Sequence, residues 1–237
     1  MSTVACLVMP GIGAADPTPD ARTLMDAVAA RLAGTGVEVR WAVADWRAKV
    51  TPGLEAMFDR TAAGGAWTAL DRFLFLLGGE VETYRRGDGV YAEVQETLLA
   101  ACRPLLWNLS VNSLVVFAHS LGTLIATDWI YDCQRAHLDA AFPFLVTAGS
   151  PIAMYAGAYP NGGTPPKVPI WRNLYAGADL VAKKLRPIGP GYSSVVDVEV
   201  KVPGVLDWTP ACHTAYWSSS DVADELAAVI QQAGGAA

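Results

Sequence analysis

The chain has 237 residues, 52% hydrophobic and 17% charged, with a mean hydropathy of +0.28 and a net charge of −6. That is apolar material for one sizeable core, so a single domain over residues 1–237 is expected. The 17 lysines and arginines are scattered without a basic cluster and the pI is about 5.0, which argues against a nucleic-acid partner.

Strand-like and helix-like segments alternate along the chain, the pattern of a parallel sheet flanked by helices. Residues 3–9 form a short apolar run ended by Pro10-Gly11-Ile12-Gly13 and read as the first strand. Thr18 is a candidate N-cap with Pro19 at the first helical position, and Leu24, Val28 and Leu32 share a face before Gly34 closes the helix. Val37, Val39, Trp41 and Val43 alternate with Glu38, Arg40 and Ala42, as expected of a strand toward a sheet edge.

Between residues 52 and 108 the apolar stretches are broken by Gly64-Gly65, Gly78-Gly79 and Gly87, and two or three helical pieces are expected. Val94, Leu98, Ala101 and Leu105 share a helical face that Pro104 should kink or end. Buried strands follow at 114–118 and 144–148, with a helix between them whose inward stripe is Leu121, Leu124, Ile125 and Trp129. The last strands are expected at 170–175 and 195–202. Val222, Leu226, Val229 and Ile230 mark a terminal amphipathic helix behind the capping candidates at 218–221.

Cys6, Cys102, Cys133 and Cys212 form no C-x-x-C pair, so no zinc or redox motif is indicated and buried thiols are expected. Neither a metal nor an organic cofactor has evident ligands. No Lys or Arg precedes the N-terminal apolar run, which is too short to span a bilayer; a cytoplasmic protein without a transmembrane segment is expected.

The stretch "SLVVFAHSLGTLIA" at residues 113–126 carries the chemistry. A strand that turns directly into a helix strains one residue, and small neighbours two positions away keep the bend free of collisions. Ala118-His119-Ser120-Leu121-Gly122 has that form, projecting the Ser120 hydroxyl away from the sheet. Backbone N–H groups at the helix start then point toward any negative charge forming nearby.

This bend resembles the nucleophile elbow, G-x-S-x-G, of the α/β-hydrolase superfamily, with Ala118 in place of the first glycine. The resemblance extends over residues 4–230. It implies a three-layer fold with a reduced, mostly parallel sheet of about six strands and helices on both faces. Ser120 is then the nucleophile. Of the three histidines, His119 adjoins the serine and is expected to line or brace the site, while His137 stands near a helix end. His213, between the last strand and the terminal helix, is left as the base, followed by the aromatic Tyr216 and Trp217.

The superfamily's chain order puts the acid between serine and histidine. Asp179, in a stretch similar to N-x-Y-x-x-x-D-x-V, is the choice; Asp207 is the reserve, and Asp197 lies inside a strand. The resemblance of "MPGIGAA" to an HG-x-G loop implies that the N–H of Ile12 joins that of Leu121 as oxyanion donors. Insertions at 52–108 and 152–169 are candidate lids, and His119, Met154, Tyr155 and Tyr159 are expected to face the substrate.

The activity implied is cleavage of a carboxylic ester or thioester with a small to medium hydrophobic acyl group, through an acyl-enzyme. Transfer of the acyl group by an acyltransferase or thioesterase of a biosynthetic pathway, and a non-catalytic binding or scaffold role, are the alternatives. Oligomeric state is left open by the sequence.

Overall fold

The computed structural model describes residues 2–12, 16–63, 65–85, 89–107, 111–136, 144–156, 165–203 and 210–235. Its centre is a sheet of six strands: β1 (Ser2–Met9), β2 (Val37–Val43), β3 (Val111–His119), β4 (Phe144–Ala148), β5 (Ile170–Tyr175) and β6 (Val196–Glu199). Every pairing is parallel, in the order β2-β1-β3-β4-β5-β6. Parallel strands need crossover connections, which place helices on both faces and bury the central strands completely.

The period of two sorts each strand's side chains between two cores. Val4, Cys6 and Val8 of β1 and Val115 and Phe117 of β3 pack beneath α1 (Thr18–Leu32) and α8 (Ser220–Gly235). Ala5, Leu7 and Met9 with Leu114, Val116 and Ala118 face α3 (Ala69–Arg85), α4 (Val90–Leu106) and α5 (Leu121–Arg135). Together with the short α6 (Ile152–Tyr155), α2 (Pro52–Ala62) and α7 (Pro210–Thr214), these elements make the expected three layers.

Several boundaries differ from the sequence expectation. Thr18 is the first residue of α1 and not its cap: its N–H donates to Asp16 Oδ1 at 2.9 Å. Residues 52–106 hold three helices, the upper end of the expected number. Pro104 sits in the last turn of α4, which continues only to Leu106; the N–H it lacks would have bonded the Ala100 carbonyl one turn earlier. Ser219 caps α8, its Oγ accepting the Val222 N–H at 3.3 Å.

The chain leaves β1 for one side of the sheet and returns in β3 on the other. A crevice opens at the carboxyl ends of such a strand pair, and it is there that open α/β sheets carry their ligands.

Candidate active site

The bend after β3 has the strained geometry its sequence predicts. Ser120 has φ 53° and ψ −131°, and among the described residues no other non-glycine has positive φ. Such a conformation costs roughly 1–3 kcal/mol and persists only where neighbours over-determine it. Here the Ser120 N–H donates to the Ala148 carbonyl at 2.9 Å, and the Ser120 carbonyl accepts from Thr123 N–H at 2.9 Å and Thr123 Oγ1 at 2.7 Å. Ser150 Oγ lies 2.8 Å from the same Thr123 hydroxyl.

Close approach explains the glycines around it. A methyl group on Gly122 would run into the Pro10 carbonyl oxygen and stand 2.9 Å from that of Met9, so α5 can start against the end of β1 only with glycine there. Gly11 lies so near the serine that a Cβ on it would be 2.6 Å from Ser120 Cβ. Ile12 is the next residue, half-buried, and Leu121 is the first residue of α5, whose N–H has no partner within the helix.

His213 comes from the short helix α7. Its Nε2 is 2.7 Å from Ser120 Oγ and its Nδ1 is 2.8 Å from Asp179 Oδ2. Asp179, in the turn after β5, is buried. Burial by itself would raise its pKa, but the hydrogen bond and charge of His213, the Val181 N–H and the Tyr216 hydroxyl outweigh it and hold the carboxyl down at about 2. An ionised carboxylate only accepts, so the His213 proton sits on Nδ1 and the Nε2 lone pair faces the serine hydroxyl.

Two further groups hold this chain of hydrogen bonds. His119 is buried and its Nε2 donates to the His213 carbonyl at 2.7 Å. Burial, reinforced by the nearby His213, pushes its pKa down to about 3, so the ring is neutral. The Tyr216 hydroxyl accepts the Ala176 N–H at 2.8 Å and donates to Asp179 Oδ2 at 3.0 Å. Gly149, at φ +62°, leaves room for three rings: a Cβ there would approach His119 Nε2, His213 Cε1 and Tyr216 Cε2 to within 3.1–3.2 Å.

The site is closed to solvent: Ser120 is 0% exposed and His213 2%. The backbone at Gly11 lies against the serine, and the Phe73 ring of α3 packs edge-on to His213 at a centroid distance of 4.9 Å.

No family model and no curated protein matches this chain by sequence. Solved structures do match it. One of two fungal esterases from Rhizomucor miehei superposes with a TM-score of 0.56, covering 99% of this chain and 76% of the esterase at 11% identity. The chain has the α/β-hydrolase fold. Also similar are Est1E from Butyrivibrio proteoclasticus (TM-score 0.46, 98% and 86% covered, 11% identity) and a thioesterase domain from the curacin biosynthetic pathway (0.46, 96% and 90%, 12%).

On this α/β-hydrolase fold the three sequence-chosen side chains follow β3, β5 and β6 in turn and meet at one point. His119 is also there, bonded to the backbone of His213. Met154 and Tyr155 lie on α6, the first 54% exposed and the second half-buried against the core. Tyr159 and the reserve acid Asp207 lie outside the described residues, as does His137. Asp197 accepts from Asn173 Nδ2 at 2.7 Å and from the N–H groups of Leu185 and Arg186 at 2.8 and 3.0 Å, and so serves the far edge of the sheet.

The sequence offers no cue that brings Phe73 or Gly149 to the site, and it assigns Tyr216 no role there. A usable signal exists for it: three residues after His213, one helical turn returns its ring to the same side. Phe73 offers no such cue, because its partner is 140 residues away in the chain. Among the described residues no group of three or more His, Cys, Asp or Glu is arranged to hold a metal ion, and no helix is long and apolar enough to cross a membrane.

Proposed function

We propose that this protein is a serine hydrolase that cleaves carboxylic esters through Ser120, His213 and Asp179. The single observation that carries the proposal is the continuous chain from Ser120 Oγ through both nitrogens of His213 to Asp179 Oδ2, at 2.7 and 2.8 Å. A serine hydroxyl is a weak nucleophile until a positioned base takes its proton, and that base needs a third group to fix its tautomer.

In the proposed reaction Ser120 Oγ attacks the ester carbonyl carbon while His213 Nε2 takes its proton. Asp179 stabilises the imidazolium without becoming protonated. The N–H groups of Leu121 and Ile12 bind the developing oxyanion, a contribution on the order of a hundredfold per donor. His213 returns the proton to the leaving alkoxide, and an acyl group remains on Ser120. Water, activated by the same ring, then releases the acid and restores the serine.

A small or medium hydrophobic acyl group is the proposed substrate, facing Met154 and Tyr155 of α6 and covered by α3, in keeping with the contact of Phe73 with His213. The closed site makes opening of that cover a step of each turnover. All four cysteines are free and buried, which suits the reducing cytoplasm, and one domain over 1–237 remains the proposed organisation.

The test is covalent labelling with a fluorophosphonate probe alongside hydrolysis of short p-nitrophenyl esters. The folded protein is expected to label at Ser120, and Ser120→Ala is expected to lose both labelling and turnover while keeping its thermal transition. Hydrolysis by Ser120→Ala at the parent rate, or labelling elsewhere, would overturn the assignment.

A further inference from the structure

β2 is an edge strand: among the described residues no strand lies beyond it, and its seven residues are half-buried except for exposed Glu38. Natural sheets blunt such edges with proline, bulges, short length or charged side chains, because unpaired backbone groups recruit another strand. β2 has no proline or bulge, its two charges Glu38 and Arg40 are of opposite sign, and it carries Val37, Val39, Trp41 and Val43 on one face.

The direction of its free backbone groups is set by its pairing with β1. The Ala44 N–H donates to the Val8 carbonyl and the Gly36 carbonyl accepts from the Ser2 N–H, so even-numbered residues bond to β1. Alternation then turns the N–H and C=O of Val37, Val39 and Trp41 outward. Two copies related by a twofold axis at Val39 would exchange both bonds between the Val39 residues and both between each Val37 and the other copy's Trp41.

That same axis sets Glu38 of each copy directly opposite Arg40 of the other, in the closely spaced, non-hydrogen-bonded pair where side chains meet best. Axes at position 38 or 40 would instead set like charges face to face. On the other face of the strand, Trp41 of the second copy arrives opposite Val37, beside a groove of about 550 Å³ bordered by Leu32, Gly34, Gly36, Val37 and Trp41. A Cβ built on Gly34 or Gly36 meets nothing within 4 Å, so the groove is open there.

We propose that β2 is a homodimer interface: two copies of this chain pair β2 antiparallel about Val39 and join their sheets into one of twelve strands. Backbone polarity allows pairing about Val39, and charge order and groove shape favour that register. A twofold contact closes on itself, so the assembly stops at two copies. The proposal is independent of the chemistry at Ser120.

Sedimentation equilibrium and light scattering after size exclusion, from about 1 to about 200 µM, are expected to find a monomer–dimer equilibrium. Glu38→Arg and Arg40→Glu, each placing like charges opposite, should weaken association about tenfold or more, and the doubly exchanged chain should regain the parental affinity. Circular dichroism verifies that each variant is folded, and Glu38→Arg alters only an exposed position. A parent chain that stays monomeric throughout, single variants that associate as tightly as the parent, or a folded double variant that fails to recover would each overturn the interface.

Discussion

Tyr216 joins the two segments that carry the proposed base and acid. One phenol oxygen accepts from the Ala176 N–H at the end of β5 and donates to Asp179, while its ring lies against His119. Tyr216→Phe keeps the ring and removes both bonds, leaving a buried N–H unpaired at a cost of about 1–3 kcal/mol. The carboxylate then loses one of the three groups that orient it. Steady-state kinetics should give a kcat roughly tenfold lower with KM within about twofold, because substrate contacts are untouched. A purely structural role would lower the melting temperature and leave kcat in place. The three side chains that meet in the candidate site were all chosen from sequence: Ser120 from its bend, His213 by elimination among three histidines, Asp179 from the order the resemblance implies. Gly149 was not, since its necessity comes from three rings that converge on it from different parts of the chain.

At the scale of elements, α3 is the segment whose consequence could not be foreseen. Its apolar residues Leu76, Leu77 and Val81 serve the core, as the run "FLFLL" suggests, yet neighbouring Phe73 reaches His213. An apolar run encodes that a helix is covered on one side; it does not encode which loop lies at its end. Phe73→Ala removes an aromatic contact from above the buried His213 and should open the site. Fluorophosphonate labelling of Ser120 is expected to become severalfold faster, with the thermal transition lowered only slightly because Phe73 is partly exposed. Labelling no faster than in the parent would mean that α3 does not gate access. Strand β2 belongs to this scale too: its edge position was readable from alternation, whereas the outward direction of its odd-numbered carbonyls followed only from its register with β1.

Across the whole molecule, the buried site makes folding sensitive to acid. His119 has a pKa near 3 when folded against an ordinary 6.5, so below pH 6.5 the unfolded chain binds a proton that the folded one refuses, and stability falls with pH. The loss is about 3 kcal/mol between pH 6.5 and roughly pH 4. His119→Gln, which keeps a donor for the His213 carbonyl and cannot titrate, should show a correspondingly shallower decline in urea unfolding. Asp179, depressed from 3.8 to about 2, adds stability above pH 3.8 that disappears as pH falls through 2, a contribution of about 2 kcal/mol. Equal pH dependence in parent and His119→Gln would remove His119 from this account. Local patterns in the chain determined the alternating strands and helices, the strained serine and the choice of His213, because period, bend chemistry and residue scarcity are short-range or countable properties; the choice of Asp179 came from the chain order that the resemblance implies. Only the tertiary structure decided that the serine is covered, that Phe73 packs on the histidine while Tyr216 holds its carboxylate partner, and which backbone groups of β2 turn away from β1. Those facts depend on distances between residues far apart in sequence, and such distances exist only once both cores have packed against the sheet.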